Sequence, residues 1–252
     1  MRIAVAGGTG AVGRYVVEAA TQRGHHVVSM SRRGGVDVRT GEGLAGALGG
    51  VDVVIDTTNA GTTHRARATT FFTEVAGTLQ ANGAALGVAR LVALSIVGLE
   101  RLRSFGYYEA KLAHEAALRA GPLPVSIVRA TQFHEFPLQI LSRARVGPVA
   151  LVPMMRIQPV AARTVGEVLV EIAAEPTATT AEIAGPEEKD LVSLARTIVS
   201  KRRDRVWVAP LPVPGAAGRA MRSGAQLPSP AAHIMGPTFE EWLQGDDFIA
   251  SA

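Results

Sequence analysis

Apolar and polar positions fall into two repeating periods over the first half of the chain. Short apolar runs occur at Ile3-Ala4-Val5-Ala6, Val27-Val28-Ser29-Met30, Val51-Asp52-Val53-Val54-Ile55-Asp56, Arg90-Leu91-Val92-Ala93-Leu94-Ser95 and Val125-Ser126-Ile127-Val128-Arg129. Such runs suit strands buried on both faces. Between them the period lengthens. Val12, Tyr15, Val16, Ala19 and Ala20 recur at helical spacing and are followed by Gly24, a residue that commonly ends a helix in a left-handed conformation. Helices are likewise predicted over 44–48, over 69–82 with Gly83 as its stop, and over 106–120, ended by Gly121-Pro122. Alternating strands and helices predict an α/β fold: a Rossmann-like, doubly wound parallel sheet with helices on both faces.

The pattern changes after Thr131. Prolines stand at 137, 148, 153, 159, 176 and 186, and strands no longer alternate regularly with helices. Helices are predicted over 164–174, 191–200 and 238–243, the last docking through Phe239 and Trp242 or Leu243. Residues 209–230, rich in Pro, Gly and small side chains, are read as wrapping the surface or covering a pocket. The expected organisation is a nucleotide-binding core over 1–130 and a small C-terminal substrate-binding lobe over 131–252, within one structural domain.

The first turn carries the strongest chemical signal. Gly7, Gly10 and Gly13 follow a strand and open a helix. Glycine turns sharply and lets a pyrophosphate approach the backbone at the positive end of a helix, so this context predicts a dinucleotide site. The turn after the second strand selects the cofactor. An NAD site places an acid there to hold the ribose hydroxyls, whereas this chain has Ser31-Arg32-Arg33. Guanidinium groups bind a 2′-phosphate through paired hydrogen bonds, which favours NADP(H) over NAD(H). Thr57-Thr58-Asn59-Ala60 leaves the third strand at its carboxyl end, the edge that lines the ligand crevice in such sheets.

Ser95, Tyr107 and Lys111 form the candidate catalytic set. Tyr107 and Lys111 are four apart on a predicted helix and share a face. A nearby ammonium stabilises a phenolate, so the phenol can exchange a proton with a carbonyl oxygen as hydride moves. Ser95, read as ending a strand at the crevice, can hold the same oxygen. Tyr108, three residues from Lys111, competes for the role of Tyr107.

Composition narrows the alternatives. The chain has 252 residues, no cysteine and a formal charge of +4. It has no disulfide, thiolate metal site or cysteine nucleophile, and the six histidines lack ligand-like spacing, so no metal is expected. Scattered basic residues and few aromatics argue against nucleic acid. The longest apolar stretch is too short to span a bilayer, and Met1 leads straight into the first strand. The expectation is a cytoplasmic protein, monomer or homodimer, that acts on a small molecule without a membrane.

The motifs Gly7-x-x-Gly10-x-x-Gly13, Ser31-Arg32-Arg33, Ser95-Ile96-Val97-Gly98 and Tyr107-Tyr108-Glu109-Ala110-Lys111 resemble the short-chain dehydrogenase/reductase superfamily, in particular its atypical, NmrA-like NAD(P)H-binding group. The resemblance implies that Gly7, Thr9, Gly10, Ala11, Val12 and Gly13 hold the pyrophosphate, and that Arg32 and Arg33 hold the 2′-phosphate. It implies that Asp37 and Val38 border the adenine, with Thr57 to Ala60 on its ribose side. Arg129-Ala130-Thr131-Gln132-Phe133 resembles the segment that lies along the nicotinamide. Tyr107 is then the general acid/base, assisted by Lys111 and Ser95. The implied activity is an NADP(H)-dependent oxidoreductase working on a small carbonyl, enone or quinone. The alternative is a non-catalytic NADP(H)-binding sensor or regulator, since the group includes members that keep the nucleotide site without turnover. A nucleotide-sugar epimerase or dehydratase is a third, less favoured reading.

Overall fold

The computed structural model describes residues 1–103, 105–175, 177 and 179–251; Pro176, one of the prolines noted above, lies outside them. The chain divides into two compact units, residues 1–129 with 162–181 and residues 130–161 with 182–252.

In the first unit the elements run β1 (Arg2–Ala6), α1 (Gly13–Gln22), β2 (His26–Met30), a 3-10 turn (Arg32–Gly34), α2 (Leu44–Leu48), β3 (Val53–Asp56), α3 (Arg65–Ala85), β4 (Arg90–Ile96), α4 (Gly106–Ala120) and β5 (Val125–Ala130). The strands lie in the order β5-β4-β3-β1-β2. β1 pairs in parallel with both β2 and β3, and β3 with β4. Ala6 is in register with Met30 on one side and Asp56 on the other, and Asp56 with Ala93. The glycine turn, the arginine turn and the Thr57 turn therefore all leave the same edge of the sheet. The strand order reverses between β1 and β3, which is where a doubly wound sheet opens its crevice.

Side-chain alternation sorts the strand residues between two faces. Ala4, Ala6, Val54, Leu91 and Ala93 pack with Leu44 and Leu48 of α2, Val75 and Leu79 of α3, and Leu118 of α4. By parity, Asp56 and Ser95 point to that same helical layer. α1 packs with the helix Ala162–Ala174, where Gly166 permits close approach: a Cβ on Gly166 would stand 2.8 Å from Tyr15 Cβ. Although this helix follows residue 131 in sequence, it falls in the same compact unit as residues 1–129. Its apolar stripe says that it must be covered, not by what.

Two helix ends contrast. Gly24 follows α1 with φ +76°, as the spacing predicted. Gly83, expected as a stop, lies inside α3, which continues to Ala85. It is there for packing, since a Cβ would meet Leu123 Cδ1 at 2.7 Å. The left-handed residue falls later, at Gly87.

In the second unit, Val149–Pro153 pairs in parallel with Trp207–Leu211 and antiparallel with Arg145–Val146. His233–Ile234 pairs in parallel with Ile183 and Ala184. The stretch 209–230 is partly regular, taking in the end of that Trp207–Leu211 strand and the helix Gly215–Arg222. The helix Phe239–Gln244 opens on a capping box between Thr238 and Glu241, and buries Phe239, Trp242 and Leu243. The His134 ring meets Phe239 edge to face and lies tilted against Trp242, each at 5.5 Å between ring centres.

Candidate functional site

The glycine turn is tight enough to require its composition. Gly7 takes φ +75°, and Gly10 N–H donates to Gly7 O at 2.8 Å. A Cβ on Gly13 would fall 2.1 Å from Gly7 O, and one on Gly8 would fall 2.4 Å from Ser29 Oγ. Thr9, Gly10 and Ala11 are exposed, while Val12 is buried as the helix begins. The first N–H groups of a helix have no intrahelical acceptor. A bare backbone loop running into those donors fits a pyrophosphate.

At the end of β2, Ser31 is extended and its hydroxyl accepts from Gly34 N–H at 3.3 Å. That cap holds the 3-10 turn carrying Arg32 and Arg33, both exposed. Asp37 bridges to Glu42, and its carboxylate accepts from Arg39 N–H at 2.9 Å. Val38 packs half-buried against the core.

Thr57 ties the first and third turns together, its hydroxyl donating to Ala6 O at 2.8 Å. Thr58 N–H donates to Asp56 Oδ1 at 2.9 Å. Asn59 is exposed, and its side-chain oxygen accepts from the Tyr107 hydroxyl at 3.1 Å. Ala60 and Tyr107 both pack against the buried cluster of Ala68, Phe72 and Ala110. The two tyrosines thus differ: Tyr107 reaches the Asn59 turn, and Tyr108 lies against Phe105 with ring centres 5.3 Å apart.

Lys111 turns inward from the same face of α4. Its ammonium donates to Leu94 O at 2.9 Å, stands 3.2 Å from His114 Nδ1, and lies over the Phe72 ring at 4.6 Å. Burial pushes its pKa down to about 8, against the attraction of Asp56 and Glu115. Behind it, His114 Nε2 is 3.0 Å from Asp56 Oδ2, both side chains only 1% exposed. Burial favours a protonated Asp56, but His114, Lys111 and the Thr58 N–H outweigh it and hold the carboxyl at about 2. Burial, then the Lys111 charge, lowers the His114 pKa.

Ser95 is buried and sits within β4, one residue before its end. Its hydroxyl has no well-aligned hydrogen-bond partner among the described residues, but it helps the Arg129 and Arg119 guanidiniums hold the Glu115 carboxyl low against burial. Arg129 reaches Glu115 at 2.7 Å and Glu100 at 2.8 Å.

Ala130 ends β5, and Thr131, Gln132 and Phe133 follow in the second unit. Thr131 donates through its N–H to Ile183 O and through its hydroxyl to Gln158 O. Gln132 is buried, and among the described residues neither of its side-chain amide atoms has a hydrogen-bond partner; Phe133 bridges to Val160. Sequence reasoning missed Asp56, His114 and Phe72. A carboxylate ending an otherwise apolar strand, and a histidine three residues after Lys111, were the available signals.

The sequence profile of the NAD(P)H-binding family matches residues 7–176, well over half of the chain and the whole glycine-to-α4 region. The chain belongs to this NAD(P)H-binding family. No curated protein matches it in sequence. Solved structures share its fold at low identity. A nucleoside-diphosphate-sugar epimerase from Staphylococcus aureus is 15% identical with a TM-score of 0.72, over 97% of this chain and all of that one. A dTDP-4-dehydrorhamnose reductase from Bacillus anthracis, in complex with NADP, is 14% identical with a TM-score of 0.69, over 100% and 99%. A short-chain dehydrogenase/reductase superfamily protein from Agrobacterium tumefaciens, with bound NAD, is 17% identical with a TM-score of 0.64, over 97% and 90%. The Rossmann-like fold read from the alternation is therefore the fold of this NAD(P)H-binding protein. Among the described residues no helix is long and apolar enough to cross a membrane.

Proposed function

We propose that this chain is an NADP(H)-dependent oxidoreductase of the short-chain dehydrogenase/reductase type, acting on a small carbonyl, enone or quinone. The reading is carried by the half-exposed Tyr107 phenol bonded to Asn59, on the strand edge from which the glycine and arginine turns also leave. Arg32 and Arg33, with no acid in their turn, support NADP(H) over NAD(H), since a carboxylate there would repel a 2′-phosphate.

The nicotinamide, when bound and reduced, supplies a hydride to the substrate carbon. Tyr107 donates its hydroxyl proton to the substrate oxygen, so a carbonyl becomes an alcohol, and the phenol regains a proton from water at its exposed side. Lys111, one helical turn away, contributes a positive charge in a poorly solvated interior, which favours the transient phenolate. Ser95 assists by helping to fix Glu115, one helical turn beyond Lys111 on α4, against β4.

The test is calorimetry with NADP⁺ and NAD⁺, followed by NADPH oxidation against a panel of carbonyls and quinones. Tighter NADP⁺ binding and turnover that collapses in Tyr107→Phe are expected. Equal affinities, or undiminished turnover in the variant, would overturn the reading.

A second reading, an NADP(H)-binding sensor without turnover, is favoured by the inward engagement of Lys111 with Leu94 O and His114. Dinucleotide binding with no consumption of NADPH by any compound of the panel would select it.

A further inference from the structure

The interior between β3, β4, α3 and α4 holds a buried carboxylate, imidazole and ammonium in a row: Asp56, His114 and Lys111. None belongs to an apolar core without a reason, because burying an unpaired charge costs several kcal/mol. The imidazole between the two charged groups can serve both only in one tautomer. Lys111 has only donors, so His114 Nδ1 must accept from it at 3.2 Å. That leaves the proton on Nε2, which faces Asp56 Oδ2 at 3.0 Å. The alignment there is poor for a hydrogen bond, and neither atom has another partner among the described residues. At this distance two lone pairs would repel, so a proton lies between them, and with Asp56 held ionised it sits on Nε2. Asp56 is in turn fixed by the Thr58 N–H on Oδ1.

We infer that Asp56 and His114 are positioning residues for Lys111: the carboxylate sets the imidazole tautomer, and the imidazole nitrogen fixes the ammonium against Leu94 O beneath Phe72. The inference rests on the reading of Lys111 as a site residue. Its physical content is that a neutral histidine carries the influence of a buried carboxylate to an ammonium one helical turn from Tyr107. The groups facing Lys111 are Asp56 from β3, the Leu94 carbonyl from β4, the Phe72 ring from α3, and His114 and Glu115 from α4. Asp56 and Glu115 favour the charged lysine and burial opposes it. Removing the influence of Asp56 therefore lowers the lysine's titration midpoint.

The experiment is nuclear magnetic resonance on the full chain, with and without NADP⁺. Imidazole nitrogen shifts report the His114 tautomer, and the Lys111 side-chain carbon shifts report its titration. The wild type is expected to show the Nε2–H tautomer at neutral pH. In Asp56→Asn the amide offers an N–H where the carboxylate offered a lone pair, so the tautomer is expected to invert. The Lys111 midpoint should then fall by about one pH unit or more. Lys111→Met, which leaves Asp56 in place, should keep the Nε2–H tautomer. A wild type with the proton on Nδ1 or on both nitrogens overturns the inference, and so does an Asp56→Asn protein with an unmoved lysine. The wild-type measurement decides the tautomer even if Asp56→Asn does not fold. The shifts do not depend on turnover. If they behave as expected and no compound consumes NADPH, the positioning pair stands and the oxidoreductase reading falls.

Discussion

The Tyr107 hydroxyl donates to the Asn59 side-chain oxygen at 3.1 Å, joining the first turn of α4 to the turn that follows β3. Neither residue is buried, so the bond is replaceable by water and adds little to stability. Tyr107→Phe should cost about 1 kcal/mol or less in unfolding free energy. NADPH-dependent turnover should fall about 10²- to 10⁴-fold, as expected when a general acid is lost. Denaturation curves and steady-state rates on the same preparation check both halves.

The arginine turn predicts cofactor choice. Replacing Arg32 and Arg33 together with alanine removes two exposed guanidiniums whose turn is capped by Ser31, not by themselves. The fold should persist. NADP⁺ affinity should drop about 10- to 100-fold, the scale of losing charge-assisted hydrogen bonds to a phosphate. NAD⁺ affinity should barely change. Paired calorimetric titrations measure the difference, and a parallel loss for both dinucleotides would contradict it.

Gly13→Ala should separate a structural glycine from a merely permissive one. The added methyl would fall 2.1 Å from Gly7 O, and the obstructing atom is backbone, which cannot swing away. Overpacking of this kind costs about 1–3 kcal/mol. A lower unfolding midpoint together with weakened dinucleotide binding is expected. Gly46→Ala, where a Cβ meets nothing within 4 Å, should leave both properties close to wild type.

His134 gives the second unit an acid-sensitive point. Burial pushes its pKa from 6.5 down to about 4, against weaker support from the Pro237 carbonyl and Glu240. The unfolded chain therefore takes up the proton first as pH falls. The stability associated with neutral His134 is complete above about pH 6.5 and is lost progressively toward pH 4. Trp242 is buried beside it while Trp207 is exposed, so the blue component of tryptophan fluorescence should respond. Urea titrations at pH 7 and pH 4.5 measure the loss, and His134→Phe should reduce their difference.

The alternation of strands and helices, the glycine turn and the arginine turn are legible from residue order alone. Each is local: a strand and a helix differ in period, and a dinucleotide turn is written in adjacent residues. The span of α4, from Gly106 to Ala120, was legible for the same reason. Gly83 departs from its expected place as a helix stop because a glycine that ends a helix and one that admits a neighbouring side chain look alike in sequence. Which residues meet follows from how the elements pack. The fold brought Asp56 to His114 across 58 positions by stacking β3 beneath α4. It packed the helix Ala162–Ala174 on α1, and turned Ser95 toward Glu115 within β4. Such meetings depend on strand order and face parity, which spread over the whole sheet, so a signal at one residue does not name its partner.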